Sequence, residues 1–199
     1  PILAEMRFGW HLHHGGDHDI MFRLARSIIA GSPSREVVGL GQPLVMIPFI
    51  LLLNPYYYTD MVVPLVLING FLFAGLSVWC LGLFVKHTTN SDRAAFWASA
   101  IWSSLPLLAY LALFWNLPLQ AVLVPMLGWL NGLSDGPAAF FILLAALILA
   151  QTRANQPTFR RMFVLGIVLC IAITFRVHIA FMVITMLLYV LIQHGWRSL

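Results

Sequence analysis

From about position 44 onward the chain is a succession of apolar runs, and the polar positions that interrupt them fall in a few short groups. Ahead of those runs, residues 13–41 form the longest polar stretch. Within it, apolar residues stand at 20, 21, 24, 25, 28 and 29, with Arg23 and Arg26 between them. That three-and-four spacing predicts an amphipathic helix. Asp17 or Asp19 stands where its N-cap belongs, and Gly31-Ser32-Pro33 ends it. Such a helix suits a membrane interface, its arginines toward headgroups. Next comes Gly41-Gln42-Pro43-Leu44, with Pro48 one turn on. The apolar run 44–53 is about half of the roughly 20 residues a spanning helix needs, so it predicts an interfacial or re-entrant helix. Asn54-Pro55-Tyr56-Tyr57-Tyr58 has the composition of an aromatic belt at a membrane surface.

The longer runs follow. Asp60 is placed to cap a first span over 61–85, and residues 86–93 are a polar turn. A second span is expected over 94–114, kinked at Pro106. Residues 115–135 contain Pro118 and Pro125 and no Lys or Arg, and read as a re-entrant segment or a short extra span. A third span covers 137–151. Residues 153–161 hold three arginines. Residues 162–174, Arg176 and 178–193 complete the pattern as a hairpin of two spans or as one interrupted helix. The expected fold is therefore all-α and integral to the membrane. It is a multi-span helical bundle (60–199) preceded by an outer-face loop carrying amphipathic interfacial helices (1–59).

Composition strengthens this picture. The chain is 61% hydrophobic and 9% charged, with a mean hydropathy of +0.90. Soluble domains carry about 25% charged residues. Nucleic acid is not an expected partner, because the basic residues are scattered; the lipid bilayer is. Cys80 and Cys170 lie inside apolar runs and read as small core residues, not as a disulfide. Residues 1–10 are too short and too polar for the core of a signal peptide. The absence of an apolar span before the polar stretch, and the abrupt end at Leu199, read as a portion of a longer chain.

Charge then orients the spans. Lys86 and Arg93 share one connection, and Arg153, Arg160 and Arg161 another; the one between them has none. By the positive-inside rule the first two face the cytoplasm. The polar loop 1–59 and Arg176 then lie on the non-cytoplasmic side of a multi-pass protein. Asp17, Asp19, Asp135 and Arg176 share that face, with Gln42 nearby. This holds if 115–135 makes no net crossing.

The order of these features resembles the GT-C superfamily of integral membrane glycosyltransferases, which includes protein O-mannosyltransferases and lipid A aminoarabinose transferases. The resemblance rests on Asp17-His18-Asp19 followed by the helix over 22–31, on Gly41-Gln42-Pro43-Leu44 with Pro48, on Ser134-Asp135 before a helix ending near Arg153, and on Arg160-Arg161 opening a segment that Arg176 closes. Two departures stand out. The family's helix before the acidic motif is missing, and Val177 and His178 follow the late arginine where proline is common. The resemblance implies a transferase that takes a sugar from a polyprenyl-phosphate donor at the outer membrane face and passes it to an acceptor. An acceptor hydroxyl needs a base, and a leaving phosphate needs a cation. Asp17 or Asp19 is the expected base. Arg176 is the expected phosphate partner, with Arg23 and Arg26 as weaker candidates and Gln42, Asp135 and His178 as further substrate contacts.

Other readings remain open. One of the two aspartates can simply cap its helix. His13, His14 and His18, with the neighbouring aspartates, are ligand types that suit a divalent metal, although their spacing is irregular. Arg176 can snorkel from a helix end. A rival from another class is a non-enzymatic accessory subunit packed against other membrane subunits, with His87 and His178 near pigment or haem; visible absorbance separates the two.

Overall fold

The computed structural model describes residues 17–33, 39–113, 135–154 and 158–194. Among them every regular element is helical. Residues 115–134 of the expected re-entrant segment 115–135, and the histidines His13 and His14, lie outside the described residues.

The amphipathic pattern forms helix α1, Asp17–Ile29. Its apolar stripe, Met21, Phe22, Leu24 and Ala25, is buried, while Arg23 and Arg26 are exposed. Gly31 ends the helix at φ 71°. The amide of Ser32 donates to Ser27 O and that of Gly31 to Ile28 O, both at 3.0 Å. These two bonds make a Schellman motif, in which glycine takes the left-handed position without a Cβ penalty. Helix α2, Gly41–Leu53, follows. At about 1.5 Å per residue it is some 20 Å long, too short to span a bilayer. Pro43 sits in its first turn, where no amide partner is needed, and Asn54 closes it in the left-handed region.

The expected span over 61–85 is longer than its apolar run. Residues 58–89 wind continuously: a 3-10 turn over Tyr58–Met61, a short helix α3 over Val62–Leu65, a π-helical stretch over Val66–Phe73, and helix α4 over Ala74–Thr89. Asp60 lies inside this start and does not precede it. Its carboxylate reaches back to the amides of Tyr56 and Tyr57, each at 2.9 Å. That is the acidic half of a capping box, with Tyr57 in the cap position. Tyr58 turns inward against Phe22. Burial pushes its phenol well above the ordinary tyrosine range, so it stays neutral.

Helix α5, Asp92–Leu113, returns along α4. The pair is fastened by small polar groups. Ser99 Oγ donates to Val78 O at 3.2 Å, and Trp102 Nε1 donates to Ser77 Oγ at 3.0 Å. Gly82 lies beneath Ser99. Small residues and interhelical hydrogen bonds are how apolar helices associate where water does not drive them together. Lys86 and Asp92 close the turn with a 2.6 Å ion pair.

Helix α6, Asp135–Ala154, is central, packed between α4 and helix α7, Phe159–Phe175. The last segment folds as a hairpin. Arg176 is extended (φ −145°), Val177–Ile179 make a 3-10 turn, and helix α8, Ala180–His194, follows. Ile179 packs with Ala172 and Phe175, whereas Val190 packs with Leu165 and Leu169. The order is reversed along α7, so α8 runs back beside it.

Among the described residues two helices, Val63–Thr89 and Asp135–Thr152, are long and apolar enough to cross a membrane. Large apolar side chains also stand outward on other helices, among them Leu51, Leu52, Phe96, Trp97, Phe181 and Ile192. One buried cluster joins both sides of the 59/60 boundary: Met21, Phe22, Met46, Ile50, Met61 and Leu65 pack together.

Glycines fix how α2 meets α7. A Cβ on Gly39 would run into the carbonyl oxygens of Thr174 and Phe175, and one on Gly41 would lie 2.6 Å from the Phe175 ring. Gly39→Ala is therefore expected to lower stability by about 1–3 kcal/mol through forced backbone movement. Gly75→Ala, where no atom lies within 4 Å of the added carbon, is expected to be neutral or slightly stabilising. Thermal unfolding of the two variants in one detergent checks the contrast.

Candidate functional site

The point where the starts of α2 and α6 meet the end of α7 is the best-built polar site among the described residues. Arg176 is its hinge. Its amide closes α7 on Ala172 O at 3.2 Å, and its carbonyl accepts from Ile179 N at 3.1 Å. The residue is thus held at both ends while its extended backbone turns the side chain out of the helix. Arg176 Nη2 then meets Asp135 Oδ2 at 2.6 Å. Asp135 stands in the first turn of α6, where the helix macrodipole favours a carboxylate. The arginine side chain is 26% exposed and the aspartate 48%. The pair is therefore reachable from outside while the stem of the arginine is covered.

This pair joins residues 41 apart in sequence, and it depends on α6 and α7 lying antiparallel. The sequence put both residues on one face; the structure puts them in contact. Arg176 keeps further donors. Its Nε is buried without a partner, and an arginine carries five N–H groups in a planar fork that matches phosphate and carboxylate oxygens.

Gln42 lies in the first turn of α2, anchored by the seating of Gly39 and Gly41 on the end of α7. It is fully buried, and neither Oε1 nor Nε2 has a partner. Beneath this junction lies an aromatic knot. Phe175 stacks on Phe141 at 5.6 Å and meets Phe73 edge-on at 6.2 Å. His178, in the 3-10 turn after Arg176, is exposed on the same turn of chain.

The other expected residues are arranged differently. Asp19 lies within α1 and pairs with Arg23 one turn on, at 3.3 Å. Arg26 stands over the Phe22 ring at 5.6 Å. These are contacts within a single helix, and the ion pairs among the described residues do not link α1 to Arg176. Asp17 and His18 open α1. Among the described residues no group of three or more His, Cys, Asp or Glu is placed to hold a metal; of the expected metal ligands, His13 and His14 lie outside them.

One residue went unremarked in the sequence. Asn69 stands in the middle of the first long apolar helix, fully buried, with Oδ1 and Nδ2 both unpartnered. Its signal was legible: a lone amide beside Gly70 stands in an otherwise apolar run of spanning length.

Comparison with protein-family models, with characterised proteins and with solved structures finds no match in any of the three.

The Asp135–Arg176 contact makes a quantitative expectation. The pair is partly solvent-screened, so its coupling is expected to be about 0.5–1 kcal/mol. A double-mutant cycle with Asp135→Asn and Arg176→Gln, read by unfolding in denaturant, measures it.

Proposed function

We propose that the protein is a multi-pass membrane glycosyltransferase that takes a sugar from a polyprenyl-phosphate donor at the non-cytoplasmic face. The observation that carries this reading is the half-open Asp135–Arg176 pair at the meeting of α2, α6 and α7. A lipid-linked donor keeps its phosphate at the interface, and a cation must stand there when the phosphate leaves. Arg176 is a good cation for that task. It is fixed by backbone bonds on both sides, oriented by one carboxylate, and left with unused donors. Preorganised donors of this kind stabilise developing charge without reorganising at the moment of reaction.

In this reading each residue has a distinct role. Arg176 takes the phosphate oxygens, and Asp135 holds the guanidinium plane. Gln42 and His178 border the donor. Asp17 or Asp19, at the start of α1, removes the proton from the acceptor hydroxyl as the sugar carbon is attacked. Arg23 and Arg26 lie along the exposed face of α1, where lipid phosphates gather. The two long apolar helices, together with the outward-facing leucines and phenylalanines of α2, α5 and α8, give the chain a surface suited to lipid. The arginines of the 153–161 connection and Lys86 set the cytoplasmic side by the positive-inside rule, which leaves Arg176 outside.

The test is transfer of labelled sugar from a panel of polyprenyl-phosphate donors, in membranes carrying the protein. Arg176→Lys keeps the charge and loses the fork, and is expected to lower transfer about 100-fold or more, the usual size for removal of one charge-stabilising donor. One of Asp17→Asn and Asp19→Asn is expected to abolish it at unchanged expression. Absence of transfer from every donor, with the protein correctly inserted, would overturn the reading and favour an accessory subunit.

A further inference from the structure

The two helical hairpins α4–α5 and α6–α7 turn at the same end of the bundle. Phe73 meets Phe140 at 5.6 Å, and Leu83 and Phe84, about three turns on, pack into the same cluster as Leu147. Helices α4 and α6 therefore run parallel and finish together. Lys86 and Asp92 close the first turn. Across the second, Arg161 Nη1 donates to Gln151 O at 3.5 Å. The other described aspartates lie at the opposite end. Asp135 opens α6, and Asp60 lies in the winding that leads into α4. Asp17 and Asp19 belong to α1, whose Met21 and Phe22 pack with Met61 and Leu65. Asp92 is thus the only carboxylate among the described residues at the hairpin turns, and Lys86 takes it at 2.6 Å. Arg93 and Arg160 are exposed there, and among the described residues neither has an ion-pair partner.

Each of these arginines is accompanied by exposed aromatic rings. In α5, Phe96 and Trp97 follow Arg93 at the spacing of one helix face. They are 65% and 55% exposed, and their rings meet edge-on at 5.5 Å. In α7, Phe159 and Phe163 flank Arg160. They are 87% and 61% exposed, and their rings stack at 6.2 Å. Both helices begin at this end, so the order is the same in each. A cation stands in the first turn, and a ring stands one turn, about 5 Å, further along the helix. That is the order of a bilayer interface, with charge at the depth of the phosphates and rings at the boundary with the acyl chains.

We propose that this end of the bundle binds anionic phospholipid, with Arg93 and Arg160 as two separate headgroup contacts. A guanidinium fork matches phosphate oxygens, and neither fork is engaged by a carboxylate. A zwitterionic headgroup offers the same phosphate but brings its own ammonium, which the surplus positive charge repels. An anionic headgroup brings none, so the surplus selects it. The rings one turn deeper take the acyl chains of either lipid. The two contacts are independent, because α5 packs on α4 and α7 on α6, with α4 and α6 between them. This face needs the bundle in a bilayer; it does not need sugar transfer.

The experiment is native mass spectrometry of the full chain in detergent micelles, with phosphatidylglycerol or phosphatidylcholine added. It reads the association constant of each bound lipid. The first two phosphatidylglycerols are expected to bind at least about fivefold more tightly than phosphatidylcholine, the effect of one basic residue near an anionic headgroup. Arg93→Gln and Arg160→Gln are each expected to weaken one of those two lipids about fivefold, with a smaller fall for phosphatidylcholine. The double variant binds the two lipids alike. Trp97→Ala and Phe163→Ala weaken both lipids equally, which separates the rings from the cations. Equal binding of the two lipids by the unmodified protein would overturn the proposal. So would a preference that survives the double substitution, or one that is lost in Arg23→Gln/Arg26→Gln, which alters α1 at the opposite end. An equal fall for both lipids in the arginine variants would also overturn it, by making Arg93 and Arg160 supports of the fold and not headgroup contacts.

Discussion

The close approach of Gly39 and Gly41 to the end of α7 is the constraint on which the arrangement depends. Phe175 is the surface they rest on, and that ring is itself stacked on Phe141 of α6 and touched edge-on by Phe73. Three parts of the chain thus converge on a single side chain, and the next residue is Arg176. Because the ring is pinned, the backbone that follows it is pinned, and the guanidinium leaves the helix in one direction. A side chain on either glycine would lift α2 from this seat and carry Gln42 away with it. The site is therefore a consequence of aromatic packing beneath it more than of the polar atoms within it.

Those polar atoms work against stability. A surface ion pair contributes about 0–1 kcal/mol, whereas each unsatisfied buried group costs about 1–3 kcal/mol. With both amide atoms of Gln42 unpaired, the balance at this junction is unfavourable. It is offset by the apolar clusters on either side, which are extensive: Met46, Ile50, Met61 and Leu65 on one, Ala138, Ala172, Phe175 and Ile179 on the other. A sequence selected only for stability would place leucine at 42 and 69, where the surroundings are already apolar.

Much of the helical layout was legible because its signals are local. The stripe at 21, 24, 25 and 28 with Gly31 after it fixed α1, and the lengths of the apolar runs separated short α2 from the long helices. The charge pattern led to the expectation that Asp135 and Arg176 share a face, and the structure brings the two side chains into contact. What escaped notice was non-local or conformational. Asp60 was expected before its helix and lies within it, because both positions suit an acidic residue and only the backbone decides between them. The π-helical stretch at 66–73 has no periodic signature. The packing role of Gly39 and Gly41 was not legible, because it is contact with the end of α7, more than 130 positions away.

The contrast between the two aspartate–arginine pairs shows what long-range assembly adds. Asp19 and Arg23 are four apart within one helix, a geometry any isolated helix offers, and the arginine of that pair is 63% exposed against 26% for Arg176. Such a pair forms wherever the helix forms and says little about the rest of the molecule. Asp135 and Arg176 meet only when α6 and α7 are antiparallel, when α7 ends at Phe175, and when the chain straightens for a single residue. Each of those conditions is met by apolar packing that has no stake in the ion pair. The carboxylate and guanidinium are thus placed by the fold, which is the property a preorganised site requires and a chance surface pair lacks.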